Sequence, residues 1–312
     1  MKKRILSLLV ALGVVTVAAA GCGNSDKASE TQAQTDAQTK AQAETTAQET
    51  EAADTSGEAS GTQTDIQVFI AASLSDVMTE IATNFNETHP DVNIVFNADS
   101  SGTLLQQIEE GFECDIFFSA AQKQMNALEE DGLVVEGTRA NVVNNQVCVV
   151  TYKDSGTKVT GLENIGDASS IALADGSVPV GKYTRQALIN LGVLEGEDAS
   201  AITTDQVSEA LGGVEISEQS NVSKVRIAVA EGSCEVGTTY YSDVYGYEDQ
   251  LEILEKVSYD LTGNVIYPVC MVQNDEADEI QNSAAKEFYE YILSDEAKVV
   301  FDKYLFDTNV ER

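Results

Sequence analysis

The sequence has one histidine, His89, in 312 residues. That scarcity excludes most histidine-built metal centres. It also leaves Ser–His or Cys–His nucleophilic machinery without a base unless His89 itself serves. His89 stands beside Pro90, where a helix is expected to end. Positive charge is scarce too: 18 Lys and Arg face 52 Asp and Glu, a formal net charge of −34. A nucleic-acid partner is thereby excluded, because a phosphate backbone needs a basic footprint. Any anion must be held by local donors that do not depend on net charge. There is no CxxC pair. Cys148 and Cys270 lie in apolar strand-like runs and read as small buried hydrophobes, and no disulfide can be assigned among Cys114, Cys148, Cys234 and Cys270. Beyond residue 20, no stretch is long and apolar enough to span a membrane.

The chain does begin with an apolar run. Lys2, Lys3 and Arg4 precede an apolar and small-residue stretch from Ile5 to Ala20, followed by Gly21 and Cys22. A basic start, a short apolar core and small exit residues predict a secretory signal over residues 1–22. The cysteine after small residues resembles the bacterial lipobox, which implies lipid attachment at Cys22, although Ala19 stands where the lipobox usually has leucine. Residues 23–64 contain no Leu, Ile, Val, Phe, Tyr or Trp. With nothing to bury, that stretch is expected to be a solvated polar tether. The folded part is expected over residues 65–312, enough for one large domain or two lobes.

Within it, apolar runs alternate in type. Ile66–Ala72 reads as a buried strand, and Ser73 opens a helix carrying Leu74, Val77, Met78, Ile81 and Phe85 on one face, with Asp76 placed near a capping box. Further strands are expected at Val92–Phe96, Asp115–Ser119, Val147–Tyr152, Ser170–Ala174, Glu235–Tyr240 and Val265–Val272. Helices are expected around Leu104–Ile108 and Met125–Leu128, then over Thr184–Leu191, Val222–Ala230, Ala277–Leu293 and Asp295–Tyr304. This order predicts an α/β architecture with mostly parallel sheets.

Four turns in that order run directly into helices: Ala72-Ser73, Ser100-Ser101-Gly102, Pro179-Val180-Gly181 and Asn221-Val222. The first turn of a helix exposes unpaired N–H groups and a partial positive charge, so it attracts anions without a cationic side chain. Ser73 and Ser101 add hydroxyls. In parallel α/β sheets such turns gather at the carboxyl ends of the strands. Any one of them reads equally well as an ordinary N-cap. Their repetition is what points to an anion.

These residues carry a resemblance. Val68-Phe69-Ile70-Ala71-Ala72-Ser73-Leu74 resembles the opening strand and turn of molybdate-binding proteins of ABC transporters. Ser101-Gly102-Thr103-Leu104, Asp115-Ile116-Phe117-Phe118-Ser119-Ala120, Pro179-Val180-Gly181-Lys182-Tyr183 and Gly237-Thr238-Thr239-Tyr240-Tyr241-Ser242-Asp243 continue it in order, to Tyr267-Pro268-Val269 and Lys303-Tyr304-Leu305-Phe306. The resemblance implies a two-lobed periplasmic binding protein type II fold with a ligand cleft between the lobes. It places one lobe at about 65–146 plus 267–312, the other at about 147–266, and the hinge near Val147 and Ile266. By the same resemblance, Ser73 and Ser101 contact the oxyanion through hydroxyl and N–H, Val180 and Val222 through N–H, and Tyr240 through its phenol. Asp99 departs from the pattern: a carboxylate near Ser101 would repel a dianion, so it is expected to point away or to cap the helix.

The function implied is that of a lipid-anchored, extracytoplasmic binding protein of an ABC importer. It would be a monomer that docks on permease and ATPase subunits and takes molybdate or tungstate, with no cofactor and no catalysis. Three rivals keep other chemistries open. Tyr240-Tyr241 is an adjacent phenol pair that could bind ferric iron with a carboxylate, and sulfate shares the charge of molybdate. A serine hydrolase built on Ser73 or Ser101 would need His89 as its base and has no G-x-S-x-G elbow.

Overall fold

The computed structural model describes residues 63–311. The expected signal segment, Cys22 and all but the last two residues of the expected tether lie outside the described residues. The first described strand, β1 (Thr64–Ala71), is apolar on both faces: Ile66, Val68 and Ile70 enter one core cluster and Phe69 enters another. A strand buried on both sides belongs in the middle of a sheet covered by helices.

That is where β1 lies. The first sheet has the order β2 (Val92–Asp99), β1, β3 (Ile116–Phe118), β10 (Val265–Met271), β4 (Ala140–Asn145). The second has the order β7 (Glu215–Gln219), β6 (Ser170–Ala174), β8 (Val236–Tyr240), β5 (Val147–Tyr152), β9 (Leu251–Lys256). Each sheet has flanking helices, and the fold is α/β and two-lobed.

The sheets are mixed, where the sequence predicts mostly parallel ones. β1 runs parallel to β2 and β3, and β6 runs parallel to β7 and β8. β10 is antiparallel to β3 and β4, and β5 is antiparallel to β8 and β9. β5 and β10 are the strands by which the chain changes sheets, and only Gln146 separates β4 from β5. Both run against the parallel strands of the sheet they enter.

The helices follow the apolar periodicity more closely than the strands do. α1 (Ser75–Asn86) buries Val77, Met78, Ile81, Ala82 and Phe85. It starts two residues later than expected, because a 3-10 turn, Ala72–Leu74, comes first. The capping box foreseen for Ser73 and Asp76 does not form; Leu74 is the N-cap residue and makes no side-chain cap. α2 (Ser101–Glu109), α3 (Gln122–Glu130), α4 (Pro179–Asn190), α5 (Thr204–Ala210) and α6 (Val222–Ala230) follow in order. A short α7 (Tyr259–Thr262) precedes β10, and α8 (Glu279–Ile292) and α9 (Asp295–Lys303) close the chain. His89 comes just after α1 and stacks on Phe85, with ring centroids 4.0 Å apart. Cys148 and Cys270 are fully buried, and the four described cysteines are free.

Candidate functional site

One small cavity collects the elements that the sequence singled out. It is lined by Ala71, Ala72, Ser73, Asp99, Ser100, Ser101, Ala120, Val178, Pro179, Val180, Val222 and Tyr240. All five residues expected at an oxyanion site, Ser73, Ser101, Val180, Val222 and Tyr240, are among them. They come from both sheets. Ser73 and Ser101 follow β1 and β2 of the first sheet, while Val180, Val222 and Tyr240 stand at or after the ends of β6, β7 and β8 of the second. Carboxyl ends of parallel strands therefore face the cavity from two sides. Its volume is about 10 Å³, far below the roughly 300–1,000 Å³ of pockets that take drug-sized molecules. A small ion suits it better than an organic solute.

Each donor is set by its local chain. The N–H groups of Ser73, Ser101, Val180 and Val222 lie in first helical turns, which the helix itself leaves unpaired. Pro179 at the first position of α4 surrenders an N–H that would be orphaned anyway, so Val180 offers the first one. The Ser101 hydroxyl oxygen accepts the Ala120 N–H at 2.9 Å, which leaves its proton free to donate. Ser73 Oγ and the Tyr267 hydroxyl lie 2.9 Å apart. Tyr267 is fully buried and also accepts from Asn145 Nδ2 at 3.2 Å, so it holds Ser73 in place.

Tyr240 is the most telling member. It is 1% exposed, and its hydroxyl has no hydrogen-bond partner among the described residues. A buried, unpartnered donor is costly unless something completes it. Burial pushes its phenol well above the ordinary range, and the neighbouring Tyr267 adds to the effect, so Tyr240 stays a neutral donor. The end of β8 that carries it is tied down by Asp243, which accepts from the Tyr240 N–H at 3.0 Å and from Thr239 Oγ1 at 2.7 Å. Burial raises the Asp243 pKa, while the charge of Arg226 and these two donors pull it down.

Arg185 escaped the sequence reading. It is fully buried and donates to the carbonyls of Ile202 at 2.8 Å, Ala174 at 2.7 Å and Gly181 at 3.0 Å. It thus clamps the turn between β6 and α4 that presents Val180. Gly181 is needed there, since a Cβ would come within 2.1 Å of the Asp175 carbonyl oxygen and 2.4 Å of that of Ala174. Burial lowers the Arg185 pKa, and Asp175 and Glu218 oppose that. The only sequence hint was an arginine one turn inside an otherwise ordinary helix.

No Lys, Arg or His lines the cavity. The one charged lining residue is Asp99, and it does not cap α2. Ser100 is the cap, accepting the Thr103 N–H at 3.1 Å, while Asp99 Oδ1 accepts from the Ser100 N–H at 2.7 Å and from Asn221 Nδ2 at 3.0 Å.

The rival sites do not assemble. Tyr241 lines a different cavity with Asn144, Asn145 and Gln146, and its ring lies under Lys256 Nζ at 3.2 Å. Two phenols therefore do not converge, and among the described residues no group of three His, Cys, Asp or Glu is placed to hold a metal ion. His89 contacts Thr88, Phe85 and Glu287, whereas Ser73 and Ser101 bond to Tyr267 and Ala120. No Ser–His pair exists at these positions among the described residues.

Comparison with known proteins finds relatives in sequence and in fold. The lipoprotein YvgL of Bacillus subtilis (strain 168), assigned by name to ABC-transporter substrate binding, is 31% identical over 237 residues, covering 76% of this chain and 84% of YvgL. The molybdate-binding protein ModA of Escherichia coli (strain K12) is 30% identical over 248 residues, covering 76% of this chain and 87% of ModA. Among solved structures, the periplasmic molybdate-binding protein of Azotobacter vinelandii shares the fold with a TM-score of 0.64 at 16% identity, over 79% of this chain and 100% of that one. The model of the bacterial extracellular solute-binding protein family matches residues 66–307, nearly all of the described chain. The chain belongs to the bacterial extracellular solute-binding protein family.

Proposed function

We propose that this chain is the solute-binding component of an ABC importer and that its solute is molybdate, with tungstate held in the same way. One observation carries the reading: neutral N–H and O–H donors from both sheets converge on a small cavity, and the buried Tyr240 hydroxyl there lacks a partner. The names of YvgL and ModA support the transporter role and the ligand.

The physics favours a proton-free tetrahedral dianion. Such an ion can be surrounded entirely by donors, and holding it with neutral groups avoids the desolvation cost of a buried cation. Hydrogen phosphate carries a proton that needs an acceptor. Sulfate carries the same charge on a smaller frame, so discrimination against it has to come from the fit of the closed cavity.

Capture then proceeds by hinge closure. We assign residues 65–146 and 267–312 to one lobe and 147–266 to the other. Sheet membership supports this, with β4 and β10 in the first sheet and β5 and β9 in the second. The two crossings lie side by side, since Asn144 Oδ1 accepts from the Val265 N–H at 2.8 Å and Gln146 Nε2 donates to the Val257 carbonyl at 3.0 Å. In the same reading the chain is a monomer held at the extracytoplasmic face of the cell membrane by lipid on Cys22. Residues 23–64 are its leash, and it delivers the anion to permease and ATPase subunits.

Calorimetric titration of the chain with molybdate, tungstate, sulfate and phosphate tests the ligand. The expected result is 1:1 heat with molybdate and tungstate and little with the others. Heat with phosphate alone would reassign the site to a protonated oxyanion, with Asp99 as acceptor.

A further inference from the structure

Asp99 is a carboxylate at the edge of a cavity read here as an anion site, and like charge beside a dianion weakens binding. Its bonding shows what outweighs that. Oδ1 accepts from the Ser100 N–H in its own turn at 2.7 Å and, from the opposite sheet, from Asn221 Nδ2 at 3.0 Å. Asn221 is 8% exposed and is the N-cap of α6, its own Oδ1 accepting the Lys224 N–H at 3.0 Å. Both ends of one side-chain amide are therefore engaged, the oxygen on its own helix and the nitrogen on Asp99. The next residue in the chain is Val222, which opens α6 and lines the cavity.

Other contacts along the same seam involve the same helix. Ser223 Oγ donates to the Ala72 carbonyl at 3.3 Å, and Arg226 pairs with Asp76 at 3.0 Å. Of these bonds, those to Asp99 and Ala72 end on residues that line the cavity, and of the two only Asp99 is charged.

We propose that Asp99 is a positioning residue for the anion site: through Asn221 it locks the N-terminus of α6 against the first lobe, so that the Val222 N–H meets the anion only when the cleft is closed. This rests on the oxyanion reading above. Two hydrogen bonds to one oxygen localise its charge on donors and reduce what the anion feels. The bond forms only across the closed cleft, so it lengthens the closed lifetime.

The test is a charge swap. Asn221→Asp keeps a good N-cap but sets two carboxylates against each other, and is expected to weaken molybdate binding at least about tenfold. Adding Asp99→Asn restores a donor–acceptor pair in the reverse sense and is expected to bring affinity back to within about threefold of wild type. Asn221→Ser, which caps α6 but is too short to reach Asp99, is expected to lose roughly tenfold. In stopped-flow traces the losses should fall on dissociation, with association little changed. Small-angle scattering of the ligand-free chains should show Asn221→Asp more open and the swapped pair closed again. Wild-type affinity in Asn221→Asp, or a swapped pair no better than Asn221→Asp, overturns the proposal. If wild type itself does not bind molybdate, the ligand reading fails, and scattering alone still decides the latch: equal dimensions in all variants would refute it.

Discussion

Replacing Tyr240 by Phe removes one oxygen and leaves a ring that packs edge-on against Tyr267, centroids 5.9 Å apart. The oxygen removed is buried and unpartnered among the described residues. Leaving a polar group in that state costs about 1–3 kcal/mol, so Tyr240→Phe should not destabilise the ligand-free protein. A gain of about 1 kcal/mol would raise its Tm by about 2–4 °C in a domain of this size. With molybdate the sign reverses. The phenol then donates to a charged acceptor, a bond contributing about 1.5–3 kcal/mol, and its loss raises Kd roughly ten- to a hundredfold. Scanning calorimetry with and without molybdate reads both effects. The variant should melt at or above wild type when empty and well below it when loaded. A variant that melts lower when empty and binds as tightly as wild type would make Tyr240 a packing residue and refute the reasoning.

Ser73→Ala and Ser101→Ala should each weaken binding by about ten- to a hundredfold in titration, and Ser101→Ala should also lower stability, because it orphans the Ala120 N–H. Val180→Ala and Val222→Ala keep the N–H groups, so they should lower the melting temperature while leaving Kd nearly unchanged; equal affinity losses at Val180 and Ser73 would mean that side-chain shape makes the site. Glu235 is held below its ordinary value by hydrogen bonds from the side chains of Ser169 and Thr157 and from the Ser169 N–H. A depressed carboxylate stabilises above its unfolded pKa and loses that contribution as pH falls through the folded one, so Glu235→Gln should flatten the fall in Tm below about pH 4.5 and barely alter its pH dependence above that. Burial pushes the thiols of Cys148 and Cys270 up to about 12, so peptide mapping after alkylation near neutral pH should find both unmodified in the folded chain and modified in denaturant.

The sequence made the inner strands legible because they are apolar on both faces, and the ends of β5 and β6 fall where the apolar runs end. It hid β4, β7 and β9, which are sheet edges with polar sequences such as Glu-Ile-Ser-Glu-Gln. Edge strands often carry charge to discourage further pairing, and that erases the apolar signal. Strand direction was hidden as well, since periodicity is the same whichever way a strand runs. The five site residues were legible through the local chemistry of first helical turns and through the family motifs. Arg185 was not, nor was the bond that Asp99 makes. The partners of Arg185 are carbonyls, which any residue can supply, and the partner of Asp99 lies 122 residues away.

The central claim is that the anion lies among Ser73, Ser101, Val180, Val222 and Tyr240. Diffraction from crystals grown with molybdate, recorded at the molybdenum edge, locates the metal directly. One anomalous peak is expected in that cavity, with the Tyr240 hydroxyl and the serine hydroxyls within hydrogen-bonding distance of the oxygens around it. A peak elsewhere, or none in crystals of a chain that binds molybdate in solution, would contradict it.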